Sequence, residues 1–455
     1  MPSRVVDTDR GHRHVFERVK DRPSTSFLRF LAVLCPVVLA YGILYCQSLA
    51  VPYQDDYRAI LAFASDYHQL PTLKAKVLYI ATKQFNEYKL GFEHSIVATE
   101  IEVTRHLNVG FLTVLGNLFL LPIGYLLWRT YPGEDGLDER LLHFLPISLL
   151  FFALTYWENL NWAMTGLQNT PVILFSLLSI YLLAAEKTFR TARAYAFLAC
   201  LAAALAAFSS ANGFLLAPVG LLILLPRRAY AKSLLWCSSF VVPLAAYLYN
   251  YEHPVESLYR GFYITRPLFF LAFFGCVVPF RWAAALLGLM TLIVFVLAIA
   301  FRYDRTNPTA FYFAVWMVAT GALVAWVRGG AGFFVASRYS IYSNLFVIFC
   351  YAFLAQALPR RFSGFRRKGF YITSVVIAAA ICFMADLGAY QKLGARRRMV
   401  LSGIEFYRAC PEINSPMIDP LVERASPKEK AIEQTILTRA IQERIYALPP
   451  KQEIR

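Results

Sequence analysis

Apolar positions in this chain fall in long unbroken blocks rather than in a one-sided stripe. Segments 108–128, 282–301 and 370–391 approach or exceed the roughly 20 apolar residues that a hydrocarbon core requires, and none has the single apolar face of a soluble amphipathic helix. Similar blocks cover 27–48, 141–157, 167–186, 194–210, 213–226, 233–250, 310–328 and 341–358. The pattern predicts an all-α polytopic membrane protein with about eleven transmembrane helices. The block 268–280 is shorter and contains Gly275 and Pro279. A full crossing there would put the basic gaps at Arg302–Arg305 and Arg360–Lys368 on the opposite side from those at Lys187–Arg193 and Arg227–Lys232. The positive-inside rule favours one side for all four, so 268–280 is predicted to re-enter rather than cross.

The polar intervals divide the rest. Residues 1–26 are basic and predicted cytoplasmic, 27–391 form the transmembrane domain, and 392–455 form a tail on the far, periplasmic side. The first periplasmic loop, 49–107, is the largest insertion between spans. Helical stretches are expected over Leu73–Phe85 and Glu87–His106, lying along the membrane surface. In the second, Leu90, Val97 and Ile101 share one face while Glu93 and Glu100 share another.

Composition agrees with this picture. Only 16% of the 455 residues are charged, against about 25% in soluble domains, and mean hydropathy is +0.48. The net charge of +16 does not signal nucleic acid, because the cations sit in short gaps between apolar blocks, where they set topology and meet the head groups of membrane lipids. Of eight cysteines, seven lie inside apolar blocks and none forms a CxxC pair, so neither a disulfide framework nor a zinc site follows.

Chemistry-bearing residues gather on the predicted outer side. The first loop carries Asp55, Asp56, Arg58, Glu87, Lys89 and His94. Asp55 and Asp56 lie just past the first span. They read as a helix N-cap, or as a carboxylate that removes a proton from an acceptor hydroxyl or holds a divalent metal, Mg2+ or Mn2+. Glu158 stands between Trp157 and Trp162, which read as interfacial anchors or as rings around a sugar whose hydroxyls Glu158 would bind. Arg338-Tyr339 follows the glycine-rich stretch at 328–332. An outward arginine runs against the positive-inside tendency, and reads as a snorkelling residue or as a bidentate partner for a lipid phosphate. Arg260 and Arg266 are cations of the same kind. Ser209–Gly213 reads as a tight outer turn, with Asn212-Gly213 suited to positive φ. Walker A, HExxH and GxSxG motifs are absent from the sequence.

An ordered set of short segments resembles uncharacterised bacterial polytopic membrane proteins related to the GT-C glycosyltransferase superfamily. They are Asp55-Asp56-Tyr57, Phe85–Lys89, Tyr156–Trp162 with Gly166 and Gln168, Ser209–Leu222, and Ala336–Phe346. That group often has Asn-Glu-His-Arg where this chain has Asn86-Glu87-Tyr88-Lys89. The resemblance implies a GT-C-like fold in a bacterial inner membrane. It implies inverting transfer from a polyprenyl-phosphate-sugar donor to a glycan or lipid acceptor, with an acid of the first loop as base. A transporter or flippase of lipid-linked glycans, or a scaffold without activity, are the competing readings. A transporter would carry mid-span charges and repeated halves, and neither is prominent in the sequence.

Overall fold

The computed structural model describes residues 23–131, 136–184, 192–253, 265–357, 364–409 and 427–449. In chain order, α1 (Pro23–Gln47) leads to α2 (Ala62–His68), α3 (Leu73–Thr82), a hairpin of β1 (Gln84–Phe85) and β2 (Tyr88–Lys89), and α4 (Gly91–Thr104). The bundle continues with α5 (Val109–Leu118), α6 (Leu120–Thr130), α7 (Gly136–Phe152), the short α8 (Trp157–Leu160), α9 (Ala163–Ala184), α10 (Ala192–Ser209) and α11 (Leu216–Leu224). Then come α12 (Tyr230–Ser238), α13 (Val241–Leu248), α14 (Thr265–Gly275), α15 (Arg281–Ala300), α16 (Tyr303–Thr306), α17 (Pro308–Arg328), α18 (Ser340–Ala357), α19 (Gly364–Ala409) and α20 (Pro427–Gln442). The fold is all-α apart from the hairpin. Among the described residues nine helices are long and apolar enough to cross a membrane, and Arg193–Ser209, Ala211–Leu224 and Thr265–Gly275 are shorter apolar helices. The chain is therefore a multi-pass membrane protein by the length and composition of its helices.

Local chemistry sets several boundaries. The Asn108 side chain accepts from Phe111 N–H and caps α5, and Asn307 does the same for Ala310 N–H with Pro308 opening α17. Leu, Phe and Ile pointing outward from α1, α15 and α19 stay exposed, which in water would be an aggregation surface and in a bilayer is the lipid face.

Contacts sort the bundle into two ends. At one, Arg29 pairs with Asp138 at 3.2 Å, Arg227 donates to Leu183 O, Asn307 to Thr130 O, and Tyr303 to Gln356. This basic end contains the C-terminal ends of α6, α9, α11 and α15. The other end carries the first loop, α8 and the links around Arg328 and Arg338. The segment holding α14 begins and finishes there: Thr265 donates to Gly329 O, while Trp282 packs against Phe333, and both partners belong to the α17–α18 link. In between, Phe274 reaches the level of Gly321 and Phe346. Gly275 and Gly288 let α14 and α15 approach backbone to backbone, the small-residue contact that apolar helices use where hydrophobic driving force is absent.

Two cores result. The larger fills the bundle around Trp236, Trp316, Phe273, Phe274 and Phe346. The second lies at the site end, where Ile60, Leu61 and Phe63 of the first loop pack with Trp162 just before α9, Leu167 of α9, Ile404 of α19 and Leu437 of α20.

The structure corrects the sequence reading in two places. Helix does not run from Glu87: Asn86 and Glu87 turn the hairpin, with Asn86 at φ 48°, and α4 starts only at Gly91. Glu93 and Glu100 are not on a solvated face, because α4 is wrapped by α2, α9 and α10 and both acids are buried with Val97 and Ile101. The helix that begins before residue 391 continues unbroken to Ala409.

Packing at the glycine contact yields a stability prediction. A methyl added at Gly288 would overlap the Leu271 carbonyl, whereas one at Gly42 would meet nothing. Gly288→Ala is expected to lower stability by about 1–3 kcal/mol, and Gly42→Ala to leave it unchanged or raise it slightly. Thermal unfolding of both variants in the same detergent measures the difference.

Candidate functional site

A cavity of about 280 Å³ opens among the first loop, α9, the α10–α11 turn, α17 and the start of α18. Asp55, Glu87, Arg328 and Arg338 are the charged side chains that line it. Glu158 and Asn159 of α8 fix the Arg338 peptide from both sides: Glu158 Oε2 accepts from Arg338 N–H at 3.0 Å, and Asn159 Nδ2 donates to Arg338 O at 3.0 Å. Asn159 is itself held by Asn169 Nδ2 at 3.1 Å. The Arg338 guanidinium lies 5.5 Å from the Trp162 ring and 5.4 Å from the Tyr339 ring. A guanidinium carries five N–H donors, so donors remain for a ligand in the cavity. Arg328, at the C-terminus of α17, donates to Glu87 Oε1 and to the Tyr88 hydroxyl.

Asp55 and Asp56 part company. Asp56 is 1% exposed, and its two oxygens accept from Tyr53 N–H at 3.0 Å and Met164 N–H at 2.9 Å. It ties the first loop to the start of α9 and does not line the cavity. Burial pushes its carboxyl up to about 7, opposed by those two N–H groups and by Arg396. Asp55 is the neighbour that lines the cavity. Burial raises its carboxyl, while Arg338, Arg58 and Arg328 pull it down and Glu87 adds to the rise.

The remaining residues singled out by sequence divide in the same way. Glu87 is at the rim, and Glu158 acts behind it through Arg338. Arg58 stands close enough to Asp55 to lower its pKa. Lys89 faces elsewhere, donating to Ala246 O and Tyr249 O where α13 ends. His94 is buried in the second core, stacked on Phe63 with ring centroids 4.1 Å apart. Burial pushes its imidazole down to about 3. Arg260 lies outside the described residues. Arg266 stacks over Trp326 at 4.6 Å and does not line the cavity.

Sequence reasoning passed over Arg328, although it ends a span at the same end of the bundle as Arg338. Glu93, which the sequence places on one face of α4 with Glu100, is fully buried with neither oxygen bonded. Burial, with Asp56 and Asp55 nearby, holds that carboxyl well above its usual range.

A divalent cation does not fit this donor set. Among the described residues no three His, Cys, Asp or Glu side chains converge on one point. The cavity carboxylate Asp55 is surrounded by Arg338, Arg58 and Arg328, whose charges oppose a metal ion. The arrangement instead places Asp55 near two guanidinium groups, one of them already paired with Glu87, suited to an anionic group and a hydroxyl proton side by side.

The buried imidazole gives a pH prediction with a definite sign. His94 binds its proton less readily folded (about 3) than unfolded (about 6.5). The unfolded chain therefore takes up more protons as pH falls through that window, and stability contributed by neutral His94 is lost. Comparing unfolding at pH 7 and pH 4.5, the wild type is expected to lose more stability than His94→Phe. Equal losses would show that His94 ionises freely in the folded chain.

No protein-family model matches the chain, nor does any curated protein or solved structure. The chemistry of the cavity must be argued from its own geometry.

Proposed function

We propose that the chain is a membrane glycosyltransferase, taking a sugar from a polyprenyl-phosphate-linked donor and passing it to a cell-envelope glycan or lipid acceptor. The observation that carries this reading is the cavity's charge arrangement, Asp55 against Arg338 and Arg328 at one end of a membrane bundle. In the reaction, Asp55 takes the proton of an acceptor hydroxyl, and that oxygen attacks the anomeric carbon. The bond from that carbon to the phosphate oxygen breaks, and the electron pair leaves on the lipid phosphate. Arg338 and Arg328 stabilise the departing charge, in a site where water is largely displaced and such contacts act strongly. The anomeric configuration inverts, because no covalent intermediate intervenes.

Burial of Asp55 supports its role as base, since a raised carboxyl pKa brings it closer to working pH. The glutamate on Arg328 supports a division of labour. Arg328 is already balanced by Glu87, whereas the Glu158 contact to the Arg338 segment uses the backbone N–H and leaves the guanidinium donors for a ligand.

The same reading assigns topology. Counting the shorter α10 and α11 as crossings and α14 as re-entrant gives eleven passes. Arg129, Arg140, Arg227 and Arg302 at the basic end then face the cytoplasm by the positive-inside rule. The site end and the tail face the periplasm of a bacterial inner membrane.

Two experiments follow. With a panel of polyprenyl-phosphate sugars, Asp55→Asn is expected to cut transfer by about 10²–10⁴ while donor binding persists. Arg338→Ala is expected to weaken donor use by roughly 2–5 kcal/mol. Wild-type turnover in Asp55→Asn would sink the assignment; absence of transfer with every donor, alongside movement of a lipid-linked glycan across vesicles, would replace it with transport. In a background without native cysteines, a cysteine at exposed Lys74 should react with an impermeant reagent in intact cells, and one at exposed Arg228 should not. The reverse result would invert the topology.

A further inference from the structure

The floor of the cavity differs from its rim. The charged side chains gather where α17 and α8 end. Deeper, uncharged polar groups of α9, α17 and the α10–α11 turn line it beside the apolar Leu323, Val324 and Val327 of α17. Thr320 sits two turns inside Arg328 on α17, about 12 Å along the helix axis. Asn212 is at similar depth, because Trp316 of α17 donates to Asn212 O at 3.1 Å.

Two of these floor groups are orphaned. Asn212 is 7% exposed, and its Nδ2 donates to the Tyr342 hydroxyl at 3.0 Å while its Oδ1 has no partner. Thr320 is fully buried, and its hydroxyl has no partner. Buried polar groups are nearly always bonded, and each exception calls for a reason. The turn that carries Asn212 is built tightly at that depth: Gly213 packs so closely on the Ala206 carbonyl that any side chain would collide with it. Gln168 reaches Ser210 at 3.4 Å beside it. The floor is thus a rigid surface offering an acceptor at Asn212 and a donor-acceptor at Thr320.

We infer that this floor is the sugar subsite and that it takes a single uncharged, hydroxyl-bearing ring. A sugar hydroxyl both donates and accepts, so one can give its proton to Asn212 Oδ1 and another can meet the Thr320 hydroxyl. A uronic acid is disfavoured, because the floor has no cation among the described residues and an unpaired carboxylate buried there is costly. At about 280 Å³ the cavity stands at the lower end of small-ligand sites, which suits one ring and its phosphate rather than an oligosaccharide. The inference rests on the glycosyltransferase reading only for the placement of phosphate at the rim.

The test is equilibrium binding to the purified full chain in nanodiscs, without acceptor, followed by tryptophan fluorescence. Three short-chain probes are compared: prenyl phosphate, its neutral hexose ester and its uronic acid ester. The hexose ester is expected to bind roughly tenfold more tightly than prenyl phosphate, and the uronic acid ester no more tightly. Thr320→Val keeps the shape and removes the hydroxyl. It should erase about fivefold to tenfold of the hexose gain, the value of one hydrogen bond, with prenyl phosphate binding unchanged. A hexose gain that survives Thr320→Val, as a floor satisfied by water alone would give, overturns the inference, as does equal gain for the uronic acid ester. Hexose-specific binding by a protein that transfers nothing would sink the transferase reading while supporting the subsite.

Discussion

The grip of α8 on the Arg338 peptide joins the two halves of the bundle at the site end. Glu158 and Asn159 belong to the link between α7 and α9, while Arg338 belongs to the link between α17 and α18. Neither link has regular structure of its own at that point beyond a short turn. A cation held at a boundary between lipid and water would otherwise be free to snorkel. Bonding both its N–H and its carbonyl removes that freedom and leaves the side chain as the only movable part. Trp162 and Tyr339 then restrict the side chain as well. Asn159 is anchored in turn by Asn169 one helix away, so the position of Arg338 is inherited from the most buried helix of the bundle.

The first loop is built to a comparable standard by different means. Asp56 fastens it to α9, and Arg396 of α19 stacks on Tyr53 at 3.1 Å, with Tyr53 meeting Trp162 edge-on at 5.5 Å. Arg439 of α20 pairs with Asp66 at 2.8 Å, and Tyr446 donates to Ala50 O. The C-terminal segments therefore brace the loop that presents Asp55. That bracing costs charge burial: Asp56 and Glu93 sit with raised carboxyl pKa values and His94 with a lowered one. Kept neutral, such groups avoid most of the desolvation penalty.

Cavity shape follows from helix length. The α10–α11 pair turns back beside Trp316, well below the level at which α17 ends at Arg328. Neighbouring helices that continue upward form walls, and the low turn forms a floor. Gly213 makes the turn compact enough to sit there. The result is a polar pit whose charged groups, among the described residues, stand at its mouth.

Some of this was fixed by sequence alone. A bilayer core offers no hydrogen bonds, so spans must be long, apolar and helical, and run length reveals them without any tertiary knowledge. The gathering of Asp55, Glu87, Glu158 and Arg338 at one end of the bundle was legible for a related reason, since charges near spans are sparse and basic gaps mark the opposite end. Tertiary structure decided which of those charges face one another. Asp55 and Asp56 are adjacent in sequence, yet backbone N–H groups of Tyr53 and Met164 claim one and leave the other to the cavity. Lys89 and His94 look as reactive as Glu87, but helix ends and ring stacking absorb them. The orphaned hydroxyl of Thr320 reads as one more small residue in an apolar span. Hydrophobic pattern is a property of consecutive residues, whereas a site is made by side chains that only long-range packing brings together.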